Sequence, residues 1–99
     1  MLDRDEAFYR AKLVESGVPD YMHDSYIRYL LHGIEPGSFL LAVLINDLRE
    51  AVARADRANQ AALANHVRFL YNHAPGNCWG SPERVREWLV GEEAVSCQA

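Results

Sequence analysis

The chain has 99 residues, 49% of them apolar, with fourteen acidic residues against ten basic ones and a formal charge of −4. That is room for one domain around one core, and an acidic balance that argues against simple nonspecific phosphate binding, which relies on clustered cations, while leaving room for a local basic patch. No apolar run approaches the ~20 residues of a membrane-crossing helix, and the opening Met1-Leu2-Asp3-Arg4-Asp5-Glu6 lacks the basic-then-apolar order of a signal peptide, so a cytoplasmic protein is expected.

Three breaker clusters divide the chain: Gly17-Val18-Pro19, Gly33 to Gly37, and Ala74 to Ser81. The segments between them carry helical periodicity, which predicts an all-α fold, a compact single-domain bundle of about five helices. The domain should span residues 1–91, with a flexible C-terminal tail over 92–99.

The first helix is expected from about Asp3 to Glu15, with acids in its first turn where the helix dipole favours them. Its apolar stripe would be Leu2, Phe8, Ala11 and Val14 or Leu13. The second should run from Pro19 to His32, facing inward with Met22, Tyr26, Tyr29 and Leu30, widened by Ile27 and Leu31. Three tyrosines on one helix are hard to bury together, so Tyr21 or Tyr29 is expected at the surface, available to a partner.

The third helix carries the strongest pattern. Leu41, Leu44, Ile45, Leu48, Val52 and Ala55 repeat at three- and four-residue steps from Ser38 to Arg57. Phe39 to Ile45 is apolar all round and should form the buried centre. Asn46 or Asp47, if turned inward, requires a hydrogen-bonded polar network. The fourth helix should run from Ala58 or Asn59 to His73, separated from the third by a kink or turn near Asp56-Arg57, with Ala62, Leu63, Val67, Leu70 and Tyr71 as its face. The fifth starts at a Ser81 cap with Pro82 in first position, buries Val85, Trp88 and Leu89, and ends at Gly91. The residues expected in the core are Leu41, Leu44, Ile45, Leu48, Leu70 and Trp88.

Little in the sequence carries catalytic or metal chemistry. His66 and His73 share a helix face but stand ~10 Å apart along the axis, too far for one ion without a third element. The histidines are therefore expected at or near the surface without a ligand role, and no metal or cofactor is expected. Cys78 and Cys97 are the only cysteines. Free thiols are expected in a reducing compartment, a bridge between them tethering only a tail. Cys78, in a loop after His73, reads as a small buried apolar group ahead of a nucleophile. The stretch Phe69 to Pro82 reads as a stiff connector plugged by Trp79, or alternatively as an aromatic recognition surface of Tyr71 and Trp79.

The runs Gly33-Ile34-Glu35-Pro36-Gly37-Ser38-Phe39-Leu40, Asn46-Asp47-Leu48-Arg49-Glu50-Ala51, Ala55-Asp56, Phe69-Leu70-Tyr71-Asn72 and Cys78-Trp79-Gly80-Ser81-Pro82 resemble a family of short uncharacterised proteins of bacteriophages and prophages. The resemblance covers roughly residues 19 to 90. It carries no enzymatic activity to transfer; what it implies is a setting, that of small phage accessory proteins that disable a host protein. The expected function is accordingly not enzymatic. It is occupation of a host protein or protein complex in the bacterial cytoplasm, with inhibition of a defence complex such as a CRISPR effector as the specific form. Asp47, Glu50, Arg54, Asp56, Arg57, Arg68 and Tyr71 are the candidate partner-binding residues. Direct binding to duplex DNA is not expected. The competing expectation is a small helix-turn-helix-like DNA-binding regulator reading with Asn59, Gln60, Asn65 and Arg68 on the fourth helix.

Overall fold

The computed structural model describes residues 2–89. The expected tail over 92–99 and the expected stop at Gly91 lie outside the described residues. Within them every regular element is a helix, which bears out the all-α class, but there are seven α-helices where about five are expected. They are α1 (Leu2–Ser16), α2 (His23–His32), α3 (Ser38–Leu44), α4 (Leu48–Arg54), α5 (Arg57–Ala61), α6 (Leu63–His73) and α7 (residues 82–89). Single 3-10 turns at Asp20–Met22 and Gly76–Cys78 lead into α2 and the final connector.

The additional helices come from breaking the expected third and fourth ones. Asn46 takes a positive φ of 69°, a left-handed conformation that asparagine tolerates better than most residues. The amide of Asn46 donates to Val43 O at 3.1 Å and that of Asp47 to Ala42 O at 2.9 Å, closing the end of α3. Asp47 then begins α4, its carboxylate accepting from Glu50 N at 3.1 Å. Ala55 extends the backbone, and Asp56 repeats the device for α5, accepting from Asn59 N at 2.8 Å. Each carboxylate satisfies an amide that the first helical turn leaves without a partner. Hydrophobic period alone runs straight through both positions, because the residues on either side keep helical spacing.

Glycine closes the other two early helices. Gly33 adopts the left-handed conformation at the end of α2, where its amide and that of Ile34 reach back to Tyr29 O and Arg28 O. Gly17 does the same after α1 at φ 84°. A Cβ there would stand 2.8 Å from Asn65 Nδ2, so this turn is also where α6 closes on α1.

Helix α1 packs against α2 and α6, α3 against α4, and α5 against α6. The core runs through Leu13, Tyr26, Tyr29, Leu40, Leu44, Phe69, Leu70 and Cys78, all essentially without exposure. Leu44 and Leu70 are where the sequence places them. Leu41, Ile45 and Trp88 are only partly buried, and Leu48 is 66% exposed. The break at Asn46-Asp47 explains Leu48, since α4 restarts with a new rotation and points Ala51 inward in its place.

Two other faces are rotated from expectation. On α1, Phe8, Ala11 and Val14 are exposed, and of the two alternatives Leu13 is the buried one, with Tyr9 packed beside it. Apolar residues are spread around that helix, so spacing alone does not select a side. On α6 the inward face is His66, Phe69 and Leu70, with Ala62 buried in the turn before it, while Val67 and Tyr71 face outward. A histidine at the centre of that face is what hid it.

Both central tyrosines of α2 are fully buried, and Tyr21 is the one at the surface. Burial is tolerated because each hydroxyl has a partner: Tyr26 donates to His66 Nδ1 at 2.6 Å and Tyr29 to Cys78 O at 2.6 Å. The connector after α6 is tied at several points. Gly80 N donates to the terminal Leu44 O of α3 at 2.7 Å, Trp88 Nε1 to Tyr29 O at 2.9 Å, and Ser81 Oγ caps α7 by accepting from Arg84 N at 3.1 Å.

Candidate partner-binding face

The polar interior seals two groups that could otherwise do chemistry, His66 and Cys78, away from solvent. His66 and His23 are buried, against the expectation of surface or partly buried histidines. His23 Nε2 lies 2.9 Å from Val18 O, to which it donates. His66 sits between Tyr26, whose hydroxyl is 2.6 Å from Nδ1, and Asn59, whose Oδ1 is 2.9 Å from Nε2. The Asn59 Nδ2 group faces Met22 Sδ at 3.5 Å. A thioether only accepts, so Nδ2 must point there and Oδ1 toward the histidine. His66 Nε2 therefore donates and Nδ1 accepts, which fixes the neutral tautomer. Burial lowers its pKa to about 4, against a small opposing pull from Asp56.

Cys78 is a free thiol with no exposure, and burial pushes it up to about 12. That matches its reading as a small core residue. Among the described residues no buried side-chain polar atom lacks a partner, and no three histidine, cysteine or acidic side chains gather as a metal site. No described helix is long and apolar enough to cross a membrane.

The surface brings part of the expected residue set together. Asp47, Glu50 and Arg54 line one shallow cleft of about 220 Å³ with Ser38 and Leu41. Arg54 and Asp56 line a second, of about 290 Å³, with Ser25, Ser38, Phe39 and Asn59. Ser38 and Arg54 belong to both, so the two form one continuous depression beside α3 and α4. Arg54 Nε donates to Glu50 Oε1 at 3.2 Å across one helical turn. Tyr21, exposed at the edge, donates its hydroxyl to Asp56 Oδ2 at 2.5 Å. That bond, then the Asn59 amide, holds the Asp56 carboxyl below its ordinary pKa.

The remaining candidates lie elsewhere. Arg57 is exposed at the start of α5 and lines neither cleft. Arg68 is exposed and donates to Asn65 Oδ1 at 2.7 Å. Tyr71, 78% exposed, lines a different cleft of about 610 Å³ with Trp79 and Arg84. Arg84 has no place among the expected residues, yet a signal for it exists: a cation in the first turn of a helix opposes the dipole. Its guanidinium turns back onto Gly76 O and Trp79 O at 3.3 and 3.4 Å.

The residues that a DNA-reading helix would use make hydrogen bonds to other parts of the chain, although of them only Asn59 is buried. Asn59 is buried against His66, Gln60 donates to Val52 O, and Asn65 donates to Gly17 O. They also divide between α5 and α6, which the turn at Ala62 separates. Comparison of the chain with protein-family models, with curated proteins and with solved structures gives no match.

Proposed function

We propose that this chain is a small accessory protein that acts by occupying the surface of a protein partner, and that the double cleft centred on Arg54 is its contact face. The observation that carries this is the convergence of Glu50, Arg54 and Asp56 around one depression edged by exposed Tyr21, with Asp47 at its margin. Tyrosine and arginine dominate the energetics of protein interfaces, and paired charges of both signs set partner choice and register. The sealed state of Cys78 and His66 supports binding over catalysis, since neither side chain is reachable by a substrate. The resemblance to short phage proteins supports a bacterial host protein as the partner and the bacterial cytoplasm as the site of action. The specific form is inhibition of a defence complex such as a CRISPR effector.

The test exchanges charges without removing a cap. Glu50→Lys with Arg54→Glu keeps an ion pair within α4 but inverts what the cleft presents. Affinity capture from a host lysate should recover a partner with the wild type and lose it with the exchanged protein, whose circular dichroism should still show the folded helical protein even though the reversed pair opposes the α4 dipole and lowers its melting temperature. Capture that survives the exchange removes this face from the interface. In a bacterium with active CRISPR interference, expression of the wild type should restore plaque formation by a targeted phage, and no restoration rejects the defence-inhibitor form.

A further inference from the structure

A second face remains outside that reading. Helices α4 and α6 border one notch, and each leaves an apolar pair four residues apart in solvent: Leu48 and Val52 on α4, Val67 and Tyr71 on α6. Leu48, Ala51 and Val67 line a narrow notch whose one charged member is Asp47. The notch continues into the wider cleft of Tyr71, Trp79 and Arg84, since Asn46 and Val67 line both. The face thus has two compartments meeting at Asn46 and Val67, one carrying a carboxylate and the other a guanidinium.

Neither charge is spent. Asp47 accepts the Glu50 amide through Oδ1, and Arg84 gives one terminal nitrogen to backbone carbonyls; neither forms an ion pair among the described residues. We propose that this face pairs with a second copy of the chain about a two-fold axis near Val67. Such an axis lays each compartment on the opposite compartment of the other copy. It covers Leu48 and Tyr71 in both copies and sets Asp47 against Arg84 twice. A chemically different partner would have to supply both charges in register; a second copy supplies them by symmetry. This face shares Asp47 with the Arg54 cleft, Asp47 standing on the ridge between the two.

Sedimentation velocity on the full chain tests it between about 10 μM and 1 mM, the range of weak, small interfaces. The wild type should pass from monomer toward dimer. Val67→Glu and Tyr71→Glu change exposed positions, so circular dichroism and melting should stay unchanged while the dimer weakens at least about tenfold. Asp47→Asn keeps the cap and drops the charge. It and Arg84→Gln should each weaken the dimer, and the double variant should be no weaker than the worse single one. A wild type that is monomeric throughout overturns the proposal, as does a dimer indifferent to Tyr71→Glu. Additive effects of Asp47→Asn and Arg84→Gln overturn the two-fold register. A monomer whose capture of a host protein is lost with Tyr71→Glu assigns the face to that protein and overturns self-pairing.

Discussion

With Nδ1 of His66 accepting from Tyr26 and Nε2 donating to Asn59, a second ring proton would face a hydroxyl that is itself donating, in a site without water-exposed surface. An unfolded histidine takes that proton near pH 6.5; the folded one takes it only near 4. Between those values the unfolded chain binds more protons, so stability rises with pH across the window and is lost as pH falls from about 6.5 to about 4. The loss is about 1.4 kcal/mol per pH unit, on the order of 3 kcal/mol in all. Urea unfolding at several pH values measures it, and His66→Gln should flatten the slope; an unchanged slope in that variant dismisses His66 as the source. Cys78 gives a second readout at this scale. Its thiol is sealed and pushed up to about 12, so in a Cys97→Ser background an alkylating reagent at about pH 8 should modify it only as fast as the molecule unfolds. Rapid modification of the folded protein contradicts its burial. Adding reducing agent should leave the melting temperature unchanged.

At the scale of the element, short helices are held by their caps. Asp47→Ala and Asp56→Ala should each cost about 1 kcal/mol, with Asn at either position recovering most of it. The two leucines at either side of the α3–α4 break separate the two views of this segment. Leu44 has no exposure and Leu48 is 66% exposed. Leu44→Ala should therefore cost about 2–5 kcal/mol and Leu48→Ala less than about 0.5, measured by urea unfolding. Equal costs would restore the single long helix that periodicity suggests. Periodicity implies that helix because Leu41, Leu44, Leu48 and Val52 keep their spacing through the break. The signals against it were local: an asparagine able to go left-handed, followed by an aspartate three residues before a glutamate. A serine cap before Pro82 was legible for the same reason, because there no competing period ran through it. The rotated faces of α1 and α6 were not legible. One helix has apolar groups all round, and the other buries a histidine whose hydrogen-bond partners come from α2 and α5.

At the scale of the whole molecule, the sequence placed Asp47, Glu50, Arg54 and Asp56 near one another because they share one polar stretch. It could not place Ser25, Phe39 or Tyr21 beside them, since these arrive from other helices. The same folding decides how the chain meets DNA. A recognition helix needs several donors free on one exposed side and cations to neutralise phosphates. Here Asn59, Gln60 and Asn65 bond to His66, Val52 and Gly17, and Arg68 to Asn65. Arg10, Lys12 and Arg54 are matched to carboxylates. With a formal charge of −4, the surface is mixed and lacks the cationic excess that drives association with a duplex. Fluorescence anisotropy with a labelled duplex at about 150 mM salt should show no sub-micromolar binding, a level tighter than the ~10⁻⁴–10⁻⁶ M of nonspecific contact. Sub-micromolar binding would reject a purely protein-directed surface. It would reinstate the regulator, and Arg49, Arg57 and Arg86, exposed and without carboxylate partners among the described residues, would then be the phosphate contacts to remove first.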